Sequence, residues 1–314
     1  MLHLVTGCAG FVGSTIVDRL LRDGHSVVGI DNFSSGRVEF LAGARKSNEF
    51  RLITADLRSK EILAEALDGV DTVYHIAANA DVRYGTLHPR RDFEQNTEVT
   101  VNVLEAMRQV GVGRIVFASS GSIYGEAAIV PTPEDAPMPV QTSLYGASKI
   151  AAESFIEAYS EGFGIQSYIF RFVSLLGERY THGHVIDFYR QLKKHPMYLD
   201  VLGDGKQRKS YLYVADCVDA IMRAVAATAD RVNVFNLGTD EYCEVNDSIG
   251  WIIDSLRVVP EIRYTGGRQG WVGDSPFIFL DTKRIVSTGW KPTLTIRSAI
   301  ERTVQYLEST EVTA

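Results

Sequence analysis

The chain has 314 residues, 45% of them hydrophobic and 23% charged, enough to bury a large core in one big domain or two modest ones, and it carries a net charge of −7. That acidic balance, with no Lys/Arg cluster, excludes a nucleic-acid binder, which would turn a basic face to the polyanion. No run of about 18 apolar residues and no basic leader occurs, so a soluble, cytoplasmic protein is expected, neither membrane-bound nor secreted.

Short β-branched runs alternate with longer amphipathic stretches from the first residues onward. Strands are predicted at 2–6, 26–30, 51–54, 72–76, 114–118 and 166–170, and helices at 11–23, 92–110 and 145–162. This is the βαβ rhythm of an α/β fold with a doubly wound parallel (Rossmann) sheet. After Arg171 the rhythm loosens, and glycine loops around 177–183, 203–205 and 266–273 interrupt shorter elements. A smaller, mixed α/β substrate-binding lobe is expected there. A helix at 215–227 followed by a strand at 232–236 has the pattern to return to the first sheet. The expected division is therefore 1–172, with 211–236 rejoining it, for the dinucleotide domain, and 173–210 with 237–314 for the second lobe. Cys8, Cys217 and Cys243 lack any C-x-x-C pairing and read as free thiols. His182, His184 and His195 show no metal-ligand spacing, and no metal is expected.

The first strand runs straight into Gly7-Cys8-Ala9-Gly10-Phe11-Val12-Gly13 and then a helix. Gly7 permits the tight turn, Gly10 lets the backbone approach a pyrophosphate, and Gly13 lets helix and strand pack closely, with the helix N-terminus facing the anion. Asp31 follows the second strand, 18 residues beyond Gly13, where a carboxylate accepts from an adenosine ribose diol and repels a 2′-phosphate. NAD is favoured over NADP.

Tyr145 and Lys149 lie four residues apart, hence on one face of the predicted 145–162 helix. A phenol titrates near pH 10, and lowering it by roughly three units needs about 4 kcal/mol of differential stabilisation of the phenolate. Lys149 and the positive ring of NAD are both expected to push that way. The run Ser119-Ser120-Gly121-Ser122 brings hydroxyls to the C-terminal edge of the parallel sheet, where ligands of such folds bind.

Taken together, the 7–13 loop, Asp31, Asp56-Leu57, His75-Ile76-Ala77-Ala78, Asn96, Ser119-Ser120, Tyr145 with Lys149, and Arg171-Phe172 occur in the order seen in extended short-chain dehydrogenase/reductases. The resemblance spans essentially the whole chain. It is nearest to nucleotide-sugar 4-epimerases of the UDP-glucose type, also in Asp31-Asn32-Phe33-Ser34-Ser35-Gly36 and in Ser210-Tyr211-Leu212-Tyr213-Val214-Ala215-Asp216. It implies Tyr145 as base, Ser120 on the sugar hydroxyl and Lys149 on the nicotinamide ribose. It further implies NAD contacts from Gly7, Gly10, Phe11, Val12, Gly13, Asp31, Asn32, Ser34, Gly36, Asp56, Leu57, Ala77, Ala78, Asn96, Ser119 and Phe172. The implied reaction inverts C4 of a UDP-hexose through a 4-keto sugar, in a homodimer joined through the helices at 92–110 and 145–162.

Some positions depart from that pattern: Ser174 stands for Asn, Lys209 for Arg, and Trp271-Val272 precede Gly273-Asp274 where an Arg is usual. Ser122, Ser174, Arg179, Lys209, Arg268 and Asp274 are the candidate substrate contacts, with Arg179, Lys209 and Arg268 as diphosphate partners. Ile278 falls where related enzymes set tolerance for an N-acetyl group. Three alternatives stand beside the epimerase reading. A 4,6-dehydratase is disfavoured by Gly121-Ser122 where an Asp-Glu pair belongs. The residues 75–83 also resemble enzymes acting on UDP-glucuronate, and epimerisation of UDP-N-acetylglucosamine stays open. A non-catalytic dinucleotide sensor has no need of Ser120, Tyr145 and Lys149 together.

Overall fold

The computed structural model describes residues 1–81, 87–267 and 277–311. Its centre is a seven-stranded sheet. In chain order the strands are β1 (Leu2–Thr6), β2 (Ser26–Asp31), β3 (Phe50–Thr54), β4 (Thr72–His75), β5 (Arg114–Ser120) and β6 (Gln166–Phe172), with Val232–Leu237 added at the β6 edge. Across the sheet the order is Val232–Leu237, β6, β5, β4, β1, β2, β3, with every pairing parallel. The chain winds outward through β2 and β3, then crosses back to lay β4 against β1. The crevice above the β1/β4 pair is thus the switch point where such sheets bind ligands.

Alternation along each strand feeds two apolar layers. Leu4, Val73, Ile115, Phe117 and Ile169 pack under one set of helices, and Val5, Tyr74, Val116, Tyr168 and Phe170 under the other. Helix α1 (Phe11–Arg22) and the helix Val214–Ala227 cover the second face, while Val99–Val110 and Leu144–Phe163 cover the first. The Leu144–Phe163 helix begins at Ser143, whose hydroxyl accepts the Gly146 N–H at 3.0 Å, and stops at Gly164 in the left-handed region, φ 74°.

Two differences from the sequence reading bear on the site. The β5/β6 ladder runs on to Ser119↔Arg171 and Ser120↔Phe172, so both serines belong to the strand itself. The single helix expected over 92–110 is instead a short turn Pro89–Asp92, a π-helical segment Phe93–Glu98 and the helix Val99–Val110. The wider π turn carries Asn96, which is buried against the Leu144–Phe163 helix.

The second lobe packs the helices His184–Lys194, Val245–Leu256 and Ile296–Glu311 around Val185, Ile249, Ile300 and Val304. Short strands frame it: Tyr198–Val201 beside Glu261–Tyr264, Ser174–Leu176 beside Tyr211–Tyr213, and Arg208–Lys209 between Cys243–Glu244 and Phe277–Ile278. Asp216, on the helix that returns toward the sheet, ties the lobes together. Its carboxylate accepts from Thr293 N at 2.9 Å and Thr293 Oγ1 at 2.7 Å, and its carbonyl accepts from Trp290 Nε1 at 3.0 Å. Among the described residues no helix is long and apolar enough to cross a membrane.

Candidate active site

The loop from β1 into α1 is built on close backbone approach. Gly7 has φ 66°, and a Cβ there would stand 2.8 Å from the Ala77 backbone, so β1 and β4 touch at the crevice. A Cβ on Gly13 would stand 2.0 Å from Gly7 O. At Gly10, among the described residues, an added Cβ would meet only Gly7 O, at 3.2 Å, so this backbone faces outward. Gly10 is the N-cap of α1, with no side-chain cap and no acidic residue in the first turn. A glycine-cradled, uncapped helix N-terminus fits a diphosphate.

Beside it, Asp31 is 7% exposed, and its two oxygens accept the Ala9 N–H at 2.9 Å and the Phe33 N–H at 2.8 Å. Each oxygen keeps a lone pair for a ribose hydroxyl. Gly36 packs onto this carboxylate, since a Cβ would meet Asp31 Oδ1 at 2.7 Å. Asn32 turns its amide to Asp56 at 3.0 Å and accepts the Ser34 N–H at 3.0 Å. Asp56 also takes a two-pronged contact from Arg58 at 2.9 Å on each oxygen, which holds its carboxyl well below the usual range. Leu57 is buried next to it.

Across the crevice, Thr6 Oγ1 accepts the Ile76 and Ala77 N–H groups at 3.1 and 3.2 Å and therefore donates to His75 Nδ1 at 2.8 Å. His75 Nε2 then donates to Thr100 Oγ1 at 3.0 Å, and Thr100 donates to Asn96 O at 2.5 Å. Burial holds this imidazole neutral, at about 3. The Asn96 side chain accepts the Asn79 N–H at 2.8 Å and donates to Ser148 Oγ at 2.8 Å, and Ser148 donates to Tyr145 O at 2.8 Å. One chain of hydrogen bonds thus links the end of β1 to the Leu144–Phe163 helix. Asn79 Nδ2 donates to Asp92 Oδ1 at 2.7 Å, and among the described residues Asp92 Oδ2 is buried with no partner.

Ser120, Tyr145 and Lys149 converge at the ends of β5 and the first turns of the Leu144–Phe163 helix. Gly146 permits this: a Cβ there would lie 3.0 Å from Ser122 O and 2.7 Å from Gln141 Oε1. The Tyr145 phenol is buried, with the Ser120 hydroxyl near enough to favour its ionised form. Ser120 also receives Ser122 N and donates to Ser122 Oγ, each at 3.1 Å. Burial pushes the phenol up to about 12, the Ser120 hydroxyl opposes this, and the Asp92 charge adds to it. Lys149 is pulled down to about 8 by burial, against the charges of Glu153 and Asp92. Its ammonium donates to Ala118 O at 2.8 Å and sits 4.8 Å above the Phe117 ring, 5.9 Å from the ring of Tyr145. Burial thus dominates the phenol, while the Lys149 ammonium is held by the strand carbonyl of Ala118.

Phe172 ends β6 opposite Ser120, and Ser174 follows on the same edge. Ile278 closes the site from the second lobe, its Cγ2 standing 3.0 Å from where a Cβ of Gly121 would lie. Lys209 pairs with Ile278 in the same small sheet. Arg179 is not brought to this mouth: its guanidinium bonds Asp18 on α1 at 2.6 Å and covers Phe40. Arg268 and Asp274 lie outside the described residues. His184 is spent inside the lobe, between Tyr211 at 3.0 Å and Ser248 at 2.9 Å. The Ser119 hydroxyl donates to buried Glu153, which also pairs with Arg171. That cluster, like the Asn79–Asp92 pair, escaped the sequence reading; the one available signal was an acidic residue one turn beyond Lys149.

The comparisons with known proteins agree with this geometry. The putative UDP-glucose 4-epimerase of Methanocaldococcus jannaschii is 33% identical over 98% of both chains. The UDP-glucose 4-epimerase of Mycolicibacterium smegmatis is 34% identical over 98% of this chain and 99% of its own. The crystal structure of the Thermus thermophilus UDP-glucose 4-epimerase in complex with NAD superposes with a TM-score of 0.86 at 32% identity, covering 98% of this chain and 99% of that one. The profile of the NAD dependent epimerase/dehydratase family matches residues 3–238, which take in the phosphate loop, the switch point and the Ser120–Tyr145–Lys149 cluster, and the chain belongs to that family.

Proposed function

We propose that the protein is an NAD-dependent nucleotide-sugar 4-epimerase that interconverts UDP-glucose and UDP-galactose. The observation that carries this reading is the convergence of Ser120 at the end of β5 with the buried Tyr145 and Lys149 on the first turns of the Leu144–Phe163 helix, beside the uncapped, glycine-lined N-terminus of α1. The relatives named above, similar along nearly their whole length, support the substrate class.

The chain's residues take the following parts. The amides of Phe11, Val12 and Gly13 receive the NAD diphosphate, Asp31 the adenosine ribose, and the segments 32–36 and 56–57 the adenosine end; Ala77, Ala78, Asn96 and Phe172 line the path to the ring. When bound, NAD supplies reversible hydride uptake at sugar C4, giving a 4-keto sugar, and a positive ring near the phenol. Tyr145 removes the proton of the 4-hydroxyl and returns it after the sugar has turned its other face. Ser120 holds the same oxygen, with Ser122 fixing its hydroxyl. Lys149 binds the nicotinamide ribose, and its ammonium favours the phenolate once aimed that way. Ser174, Lys209, Arg268 and Asp274 are the proposed contacts to the rest of the substrate. The outward Phe93, Phe155, Phe163 and Val110, all exposed on the helices flanking the site, support a homodimer through that face.

Proton NMR of the purified protein with UDP-glucose, UDP-N-acetylglucosamine, UDP-glucuronate or dTDP-glucose tests this, by the appearance of the C4 epimer. UDP-glucose is expected to convert, and Tyr145→Phe to bind NAD without turnover. Failure of UDP-glucose with NAD bound, or an active Tyr145→Phe variant, refutes the reading.

A further inference from the structure

We propose that Glu153 is a positioning residue for this reaction, locking the end of β5 against the catalytic helix by holding Ser119 and Arg171 at once; the proposal rests on the epimerase reading for its kinetic consequence. Glu153 lies one turn beyond Lys149 on the same face and is 2% exposed. Arg171 Nη2 donates to Oε2 at 2.8 Å and Nε to both oxygens at 3.2 Å, while Ser119 donates to Oε1. The remaining arm of Arg171 donates to Tyr124 OH at 2.6 Å and Glu134 O at 2.8 Å, and Tyr124 donates to Asn236 Oδ1 at 2.9 Å. One carboxylate therefore bolts together β5, β6, the strand Val232–Leu237 and the turn Gly121–Tyr124 that follows Ser120.

Stability is a poor reason for this arrangement, because desolvating two charges offsets most of their attraction and apolar side chains of the same volume do as well or better. What an ion pair with several directed hydrogen bonds supplies is geometry. Ser119 is the residue next to Ser120 in the same strand, so the clamp on one sets the place of the other opposite Tyr145.

Glu153 also faces Lys149 electrically. The other groups around that ammonium are Tyr145 on the same helix, Asp92 from the turn Pro89–Asp92, His75 from β4, and the Ala118 carbonyl and Phe117 ring of β5, with Arg171 of β6 behind Glu153. Removing the Glu153 charge, and leaving Arg171 uncompensated, makes Lys149 lose its proton at lower pH.

The test compares Glu153→Gln and Ser119→Ala with the intact protein, by steady-state kinetics across pH, NAD titration and amide hydrogen exchange. Both variants should lower kcat by roughly 10- to 100-fold, the scale of a misplaced catalytic group, with KM unchanged in both and NAD affinity unchanged in Glu153→Gln. The alkaline limb of kcat should move to lower pH in Glu153→Gln alone, and exchange should quicken over 119–124 in both. Wild-type kcat with wild-type exchange overturns the proposal. So does a loss of activity that merely tracks the unfolded fraction with an unmoved pH profile, or a Ser119→Ala defect cured by excess NAD. If Glu153→Gln does not fold, Ser119→Ala, which removes a single hydrogen bond, decides. An intact protein inactive on every UDP-sugar refutes the epimerase reading instead, and the exchange data then decide the clamp.

Discussion

Alanine at Gly13 and alanine at Gly10 are predicted to fail in opposite ways, although the two residues share one turn. A methyl at position 13 would sit 2.0 Å from Gly7 O, 2.8 Å from Gly7 C and 3.1 Å from Cys8 Cα, all of it backbone that has no rotamer with which to retreat. Ordinary contact begins at 3.4 Å, so helix and loop must part by more than an ångström. Overpacking of this kind costs about 1–3 kcal/mol, of which the better helix propensity of alanine returns up to about 1. A methyl at position 10 meets, among the described residues, Gly7 O alone, at 3.2 Å, a few tenths of an ångström inside ordinary contact, and so strains the fold far less. It projects instead into the space over the α1 amides, and losing one or two charge-assisted hydrogen bonds there weakens NAD binding by roughly 10- to 100-fold. Urea midpoints of the cofactor-free proteins and calorimetric titration with NAD separate the two effects. Gly13→Ala should lower the midpoint, and Gly10→Ala should keep it while losing affinity. A Gly10→Ala protein that binds NAD as well as the original refutes the assignment of the loop to the diphosphate, and a Gly13→Ala protein of undiminished stability refutes the close-approach argument.

Gly29 lies under Cys8, where an added Cβ would meet Sγ at 2.7 Å. Gly29→Ala should destabilise by about 1–3 kcal/mol and Cys8→Ala should restore part of it, a coupling read from a double-mutant cycle of urea midpoints; strict additivity would refute the contact. His75 and His184 are each held neutral by burial, at about 3, against about 6.5 unfolded. The unfolded chain binds more protons between those values, so their contribution is complete above about pH 6.5 and is lost as pH falls toward 3. Urea midpoints from pH 7.5 to 4 should fall more steeply for the native sequence than for His75→Gln, and parallel slopes would refute the assignment.

The sequence by itself determined the doubly wound sheet, because a strand buried on both faces must be a short β-branched run and its crossovers must be amphipathic helices. It also determined the tight glycine turn from β1 into α1, since only glycine fits where Gly13 meets Gly7 O, and the shared face of Tyr145 and Lys149, which follows from helical spacing. Each of these is a local constraint, readable within a few residues. Tertiary structure decided the rest. That the phenol is driven up to about 12 and Lys149 down to about 8 depends on burial, which no spacing states. That Arg179 pairs with Asp18, and that Ser119 hydrogen-bonds Glu153 and Asn96 hydrogen-bonds Asn79 and Ser148, depends on which elements become neighbours. Glu153 and Arg171 illustrate the reason: on separate elements, each is an unremarkable charge, and only when sheet and helix close over both does leaving either unpaired become costly enough to fix the geometry around Ser120.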